Sequence, residues 1–441
     1  MAKLSLKNIG SLKNVDIELN RINIFIGPQS IGKSTIAKLI SFCNWMEKDC
    51  VLKQGTSHID RNYIDQNLIV YHNLEGYFTE NSCLDYIGSA VEFHISGKEF
   101  SVKKTETFHK AELSKNAYLP SERNMLALPG IFSLKMPYNY LLEFIDDWQE
   151  IRSKYTRDEE LGLLNLGDSY FFSASDSTDM IHLENGLDIR FSQASSGLQS
   201  VTPLCVCIDY LTKWIYNNEE NRSAENRKQY RDMMLHKYSE ELFNNLDQDG
   251  LSKLENVLEK SEEMEKFIHV MKDFKRGDVE YDELNKQYSS ILRAMYQGLL
   301  YNYKITHPTS TNLVIEEPEQ NLFPETQVKL VYYILSKVSH RNLRDTLVIT
   351  THSPYVLYAF NNCMLAHMAS HDSSEGLEDI ANIPKDAWLN PEIVSVWELG
   401  GHGDVSVKCI QDERGLVRGN YFDRVMHNVM ADFTNLLNVI E

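Results

Sequence analysis

Five short stretches carry residues whose types and spacing suit phosphate chemistry. Gly27-Pro28-Gln29-Ser30-Ile31-Gly32-Lys33-Ser34 fits G-x-x-x-x-G-K-[ST], a phosphate-binding loop. Glycines at 27 and 32 let the backbone turn so that successive N–H groups face one point. The positive end of a following helix faces that point too, so an anion fits there. Lys33 would reach the β- and γ-phosphates and Ser34 would ligate Mg²⁺. Gln29, Ser30 and Thr35 complete the nucleotide-contacting loop. In Asn312-Leu313-Val314-Ile315-Glu316-Glu317-Pro318-Glu319 an apolar run ends in two adjacent acids. Neighbours on a strand point to opposite sides, so they can serve two roles. Glu316 would hold Mg²⁺, directly or through water, and Glu317 would polarise an attacking water. His352, in Thr350-Thr351-His352-Ser353-Pro354, ends another apolar run and could hydrogen-bond the γ-phosphate or the water. The remaining two stretches are more ambiguous. Ser195-Ser196-Gly197-Leu198-Gln199 reads either as a second anion-binding helix start or as a plain serine N-cap. Arg123, after Leu119-Pro120-Ser121-Glu122, reads either as a γ-phosphate sensor or as a surface partner of Glu122.

The elements that must place these residues are legible around them. The alternations over 3–10 and 11–19, followed by the apolar run 21–26, predict three strands ahead of the phosphate loop, and a helix from Lys33 to about Lys48. Leu68-Ile69-Val70-Tyr71 and Val91-Glu92-Phe93-His94-Ile95 look like strands, with a turn at Gly97-Lys98 and a return over Glu99–Val102. A helix over 138–154 has an apolar stripe, Leu141, Leu142, Phe144, Ile145 and Trp148, that suits a core. A strand leads into the Ser-Ser-Gly turn and an apolar helix follows it. Residues from about 204 to 303 are helix-like, with leucines at helical spacing on both sides of Gly250. They suggest an antiparallel hairpin, either a partner-docking arm or a passive insert, with Lys272-Asp273-Phe274-Lys275-Arg276-Gly277 as a basic turn. The tail predicts short strands near 394–397 and 405–407, a turn at Gly400-Gly401-His402-Gly403 and a final helix over about 422–437. The fold class that follows is α/β, a P-loop nucleotide-binding sheet interrupted by a helical insertion.

Composition narrows the function. The 441 residues are 42% hydrophobic and 24% charged, which suits a globular chain large enough for two or three domains, or for one large domain with an insertion. No apolar run is long enough for a membrane helix and no leader is evident, so a cytoplasmic location is expected. The seven cysteines are odd in number, scattered and without a C-x-x-C pair, which predicts buried free thiols in a reducing compartment. A formal net charge of −19 disfavours a broad DNA-coating surface.

The motifs GPQSIGKST, SSGLQS, LVIEEPEQNLFP and LVITTHSP, in this order behind LSLKNIGSLKNVDIEL, resemble the ABC-type ATPase heads of the SMC and RecF kind. More narrowly they resemble prokaryotic AAA family ATPases that share their head with OLD-family nucleases. The resemblance implies a mixed-sheet head made of residues 1–204 and 305–441, split by a helical insertion over 205–304. It also implies two heads packed face to face. ATP and Mg²⁺ would then lie between the phosphate loop of one head and Ser196, Gly197 and Gln199 of the other. Lys33 and Ser34 would bind phosphate and Mg²⁺, Glu316 would support the metal, Glu317 would be the base and His352 the switch. Arg123 is the candidate for the missing glutamine-loop position. Two departures stand out: the signature reads SSGLQ instead of LSGGQ, and the metal acid is glutamate where many such ATPases have aspartate.

The 89 residues after His352 contain no D-x-D of the metal-binding kind that follows the head in OLD-family nucleases. Asp247-Gln248-Asp249 lies upstream, inside the insertion. A head without its own effector looks like the ATPase subunits of two-component anti-phage systems of the PARIS and Septu kind. Such a likeness implies a homo-oligomer that holds an effector nuclease or toxin subunit and responds to a phage-encoded trigger protein. The competing reading is a DNA-repair or DNA-organising ATPase of the SMC or RecF type, with DNA as its partner. A transporter ATPase is disfavoured by the long stretch between SSGLQ and the acidic strand.

Overall fold

The computed structural model describes residues 2–53, 55–111, 113–164, 166–214, 310–338, 344–372, 382–400 and 405–440. From residue 215 to residue 309 the expected insertion lies outside the described residues, with its basic turn and Asp247-Gln248-Asp249. So does most of the Gly400–Gly403 turn. One compact unit comprises Met1–Tyr216 and Pro308–Glu441.

That unit is built on one large mixed sheet. Strands β1 (Ala2–Ile9) and β2 (Leu12–Leu19) form a hairpin because Leu4, Leu6 and Ile9 alternate with outward polar residues and Gly10 closes the turn at φ +54°. Strand β3 (Ile22–Ile26) is buried at every residue, as a strand covered on both faces must be. The further strands are β4 (Cys83–Ile87), β5 (Val91–Ser96), β6 (Glu99–Lys104), β7 (Ser114–Leu119), β12 (Ser310–Glu316), β13 (Thr346–Thr351), β14 (Val394–Gly400) and β15 (Val405–Cys409). Their order is β6-β5-β4-β1-β2-β15-β14-β3-β13-β12-β7. The five strands β14, β3, β13, β12 and β7 run parallel, while the β1-β2-β4-β5-β6 arm is antiparallel. A separate antiparallel sheet holds β8 (Leu161–Gly162), β9 (Ser169–Ser173), β10 (Thr178–His182) and β11 (Asp188–Arg190).

Helices close both faces. They are α1 (Lys33–Leu52), α2 (Arg61–Ile64), α3 (Tyr140–Ile151), α4 (Ser196–Asp209), α5 (Pro324–Val338), α6 (Pro354–Asp372) and α7 (Tyr421–Ile440). Period-two alternation splits β3 between two cores. Ile22, Ile24 and Ile26 pack in the core that holds α3 to α6, and Phe25 packs with α1 and the β1–β2 hairpin.

Three expectations are corrected. Leu68–Tyr71 is not a strand: Asp65–Val70 is a π-helical turn following α2, because Asp60 caps the start and Ile64 and Leu68, one turn apart, are the buried residues. Residues 205–214 belong to the head. Helix α4 runs to Asp209 and continues to Trp214, burying Cys205, Val206, Cys207, Ile208 and Leu211 in the core. All seven cysteines are free, but Cys409 is exposed and Cys83 half-buried.

Candidate active site

Three of the chemistry-bearing stretches leave the same edge of the parallel sheet. Glu316 ends β12 opposite Thr350 of β13, and Thr351 lies opposite Ile26 of β3. The phosphate loop, the acid pair and His352 therefore follow three adjacent strand ends, where open α/β sheets bind ligands. The loop is shaped by backbone that only glycine takes easily. Gly27 has φ +144°, and a Cβ there would meet the Leu399 carbonyl oxygen at 2.4 Å. Gly32 has φ +103°, and its Cβ would meet Leu12 at 2.6 Å. The loop lines an open cleft of about 470 Å³ with Gln29, Ser30, Gly32, Lys33, Ser34, Thr35, Glu317 and His352. Gly10, Ser11 and Tyr77 also line it, and the sequence pattern had not singled them out.

Lys33 is buried. Its Nζ donates to the carbonyls of Gly27 at 2.8 Å and Pro28 at 2.6 Å, and to His352 Nδ1 at 3.2 Å. An ammonium has no acceptor, so Nδ1 must offer its lone pair and the ring proton must sit on Nε2. Nε2 then donates to Glu317 Oε1 at 3.0 Å. Desolvation lowers the Lys33 pKa to about 8, against the pull of Glu317 and Glu319. The hydrogen bond from His352 holds the Glu317 carboxyl below its ordinary range, so Glu317 is ionised at neutral pH. The Glu317 backbone has φ +43°, a left-handed turn just past the strand, tied by its N–H to the Thr350 carbonyl at 2.9 Å. Glu319, half-buried beside it, accepts the His352 N–H at 2.5 Å.

Glu316 faces elsewhere. It is buried, receives the Tyr118 hydroxyl at 2.5 Å and a hydrogen bond from Ser34, and burial raises its pKa. A buried carboxylate beside the Ser34 hydroxyl is an oxygen donor set that suits Mg²⁺, whose charge would offset that desolvation. The residues present therefore fit the metal, and Ser34 and Glu316 are the groups that would hold it.

Residues 1–357 match the AAA ATPase domain family. The chain belongs to that family. It is an α/β P-loop ATPase. No curated protein matches the sequence. Among solved structures it is similar to an SMC head domain from Thermotoga maritima, at 9% identity over 93% of this chain and 98% of that one, TM-score 0.36. An SmcHead bound to the C-winged helix domain of ScpA matches at 9% identity, 94% and 99% coverage and TM-score 0.38. An Smc head with an extended coiled coil, bound to the C-terminal domain of ScpA from Pyrococcus furiosus, matches at 8% identity, 98% and 99% coverage and TM-score 0.35. At such identities and scores these likenesses carry no functional argument.

Four expected site residues of this ATPase, Arg123, Ser196, Gly197 and Gln199, stand apart from the cleft. Arg123 is neither a surface partner of Glu122 nor turned to the phosphate loop. It is fully buried, and its guanidinium donates to the carbonyls of Ser200 (3.1 Å), Pro120 (3.1 Å), Glu316 (2.8 Å) and Glu317 (2.7 Å). A planar fork with five donors satisfies carbonyls from three segments at once, so Arg123 ties the acid pair to the signature helix. The signature turn itself is well formed. Ser195 caps α4 by accepting the Leu198 N–H at 3.3 Å, and Gln199 donates to the Ser192 carbonyl at 3.2 Å. Ser196 is exposed, Gly197 approaches the Asn321 carbonyl closely, and Asn321 donates to Ser200 at 2.9 Å. None of Ser196, Gly197 and Gln199 lines the cleft. Tyr118 and Glu319 carried no role in the sequence reading. The hydroxyl of Tyr118 is legible only once β7 is known to lie beside β12.

Proposed function

We propose that this ATPase hydrolyses ATP between two copies, each supplying its phosphate loop to one nucleotide and its Ser196–Gln199 turn to the other. One observation carries the reading: the signature turn is capped and ordered, yet does not line the cleft of its own chain. A second copy would bring it there, as a face-to-face pair requires. Within one chain, Gly27, Gln29, Ser30, Gly32 and Thr35 would cradle the phosphates through backbone N–H groups and Lys33 would neutralise the β- and γ-oxygens. Arrival of the γ-phosphate would draw Lys33 off the loop carbonyls and off His352. His352, fixed as the Nε2–H tautomer, would keep Glu317 ionised and aimed. Glu317 would take the proton of the water that attacks the γ-phosphorus, while the bond to ADP breaks. Mg²⁺, when held by Ser34 and Glu316, supplies charge neutralisation on the phosphates.

The order of motifs further supports a role as the sensor and scaffold subunit of a two-component anti-phage system. Such a subunit would hold a separate effector nuclease or toxin in the cytoplasm until a phage-encoded trigger arrives. The test is ATP turnover of the purified chain with and without double-stranded DNA, with Glu317→Gln as blank. Turnover that ignores DNA fits the sensor reading. Strong DNA stimulation overturns it in favour of a DNA-repair or DNA-organising ATPase.

A further inference from the structure

Helix α7 is the one long helix among the described residues that buries none of its side chains. Its start is nevertheless firmly placed. Asn420 caps it by accepting the Phe422 N–H at 2.8 Å, Arg424 pairs with Glu398, and Tyr358 donates to Asp423. Phe422 packs against the core. Beyond that anchor the apolar residues follow a strict rhythm. Phe422, Met426, Val429, Phe433, Leu436 and Ile440 are spaced 4, 3, 4, 3 and 4, the seam of a coiled coil. Val425, Met430 and Leu437 widen the same face. Phe433 is 59% exposed and Leu436 66%, values that a side chain this apolar rarely keeps in water as part of a row.

We infer that α7 is a self-association element that packs its seam against α7 of a second copy. Three observations choose this occupant. A sustained 4-3 spacing is complementary to another helix of the same period, and a copy of α7 is one by construction. Between 425 and 440 the only ionisable side chains are His427 and Asp432, so the flanks lack the charge rows that select an unlike partner. The chain as a whole carries a −19 charge that would drive copies apart, and an uncharged seam is where they meet with least repulsion. A lipid surface is a poorer match. The opposite face carries His427, Asn428, Thr434, Asn435 and Asn438, without the lysines and arginines that hold an interfacial helix on anionic lipid. This pairing does not rest on the nucleotide reading, because no residue of the cleft takes part.

The experiment is sedimentation of the full nucleotide-free chain, as wild type, Lys33→Ala, Phe433→Glu/Leu436→Glu and Thr434→Glu. The wild type, Lys33→Ala and Thr434→Glu chains are expected at twice the 51.0 kDa monomer or more, and the Phe433→Glu/Leu436→Glu chain at the monomer mass. Since Phe433 and Leu436 are both exposed, the double substitution removes no core and its circular dichroism should match wild type. A Val429→Cys chain should cross-link between copies on oxidation, whereas Asn428→Cys, on the polar face, should not exceed the wild-type background. A monomeric wild type, an unchanged mass in the double variant, or equal cross-linking at 428 and 429 overturns the inference. So does a chain that stays monomeric in solution and floats with phosphatidylserine vesicles only while Phe433 and Leu436 are intact. Loss of association in Lys33→Ala alone would point to the head pair instead of α7.

Discussion

The phosphate loop and the signature turn are both glycine-containing helix starts in one head, and they end in opposite situations. At the first, Lys33, His352 and Glu317 form a chain of hydrogen bonds within one molecule, with Glu316 and Ser34 set beside it. At the second, Ser195 and Gln199 satisfy only their own turn, and Ser196 faces outward. The difference lies in what surrounds each helix start. The loop before α1 is flanked by two neighbouring strand ends that deliver acids and a histidine. The turn before α4 leaves a small separate sheet, and the Asn321 loop lies behind it. A half-site that is complete beside one that is merely presented is what a shared nucleotide between two copies needs.

The sharpest way to break this comparison is to remove each half separately. Lys33→Ala should weaken ATP binding by about 100-fold or more, since a buried cation facing phosphate is worth about 3 kcal/mol. Isothermal titration of the nucleotide reads it directly. Glu317→Gln should cut turnover by roughly 10²- to 10⁴-fold while leaving binding near wild type. A variant that still hydrolyses ATP would remove Glu317 as the base. Gly197→Arg should abolish turnover with binding retained, because the turn would act only on another copy's nucleotide. Mixing it with Lys33→Ala should restore about a quarter of wild-type turnover, since half the pairs are mixed and each has one intact site. If the mixture stays dead while each variant is folded, the two halves do not meet across copies.

Arg123 sharpens the comparison at the seam between the two halves. Arg123→Ala should lower stability by about 3 kcal/mol or more, because carbonyls from three segments lose their donor in a buried place. Arg123→Lys should not restore it, as a point donor cannot bridge them. Thermal melting measures this, and a full loss of turnover at unchanged melting temperature would return Arg123 to a phosphate role. The smallest effect is on pH. Lys33 is lowered to about 8, and phosphate favours its charged form. Below that pH the proton is already present and affinity is flat. Above it, binding must take up a proton, so affinity should fall by up to about tenfold per pH unit. Affinity that stays level to pH 9.5 would mean that Lys33 keeps its proton in the free chain.

Short-range chemistry was legible in the chain. The glycines at 27 and 32, the capping serine at 195 and the burial of β3, β12 and β13 all follow from local sequence, because φ preference, capping and period-two burial act over a few residues. Leu68–Tyr71 misled because a short apolar run does not separate strand from buried helix; packing of Ile64 and Leu68 on one side decided it. Arg123 misled because the polarity of LPSER suggests solvent, while three of its four partners are backbone carbonyls 77 to 194 positions away. No spacing rule reaches that far.

Local sequence thus singled out the candidates for binding phosphate, holding Mg²⁺ and moving a proton, and the strands that carry them, since these are properties of side chains and their nearest neighbours. Tertiary structure alone decided that β13 lies between β3 and β12, which puts Lys33, His352 and Glu317 within hydrogen-bond reach. It also decided that Tyr118 faces Glu316, that Arg123 is a buried tie, and that the signature turn stands clear of its own cleft. Strand order is set by how whole faces pack into two cores, a balance summed over the entire chain that no single stretch contains.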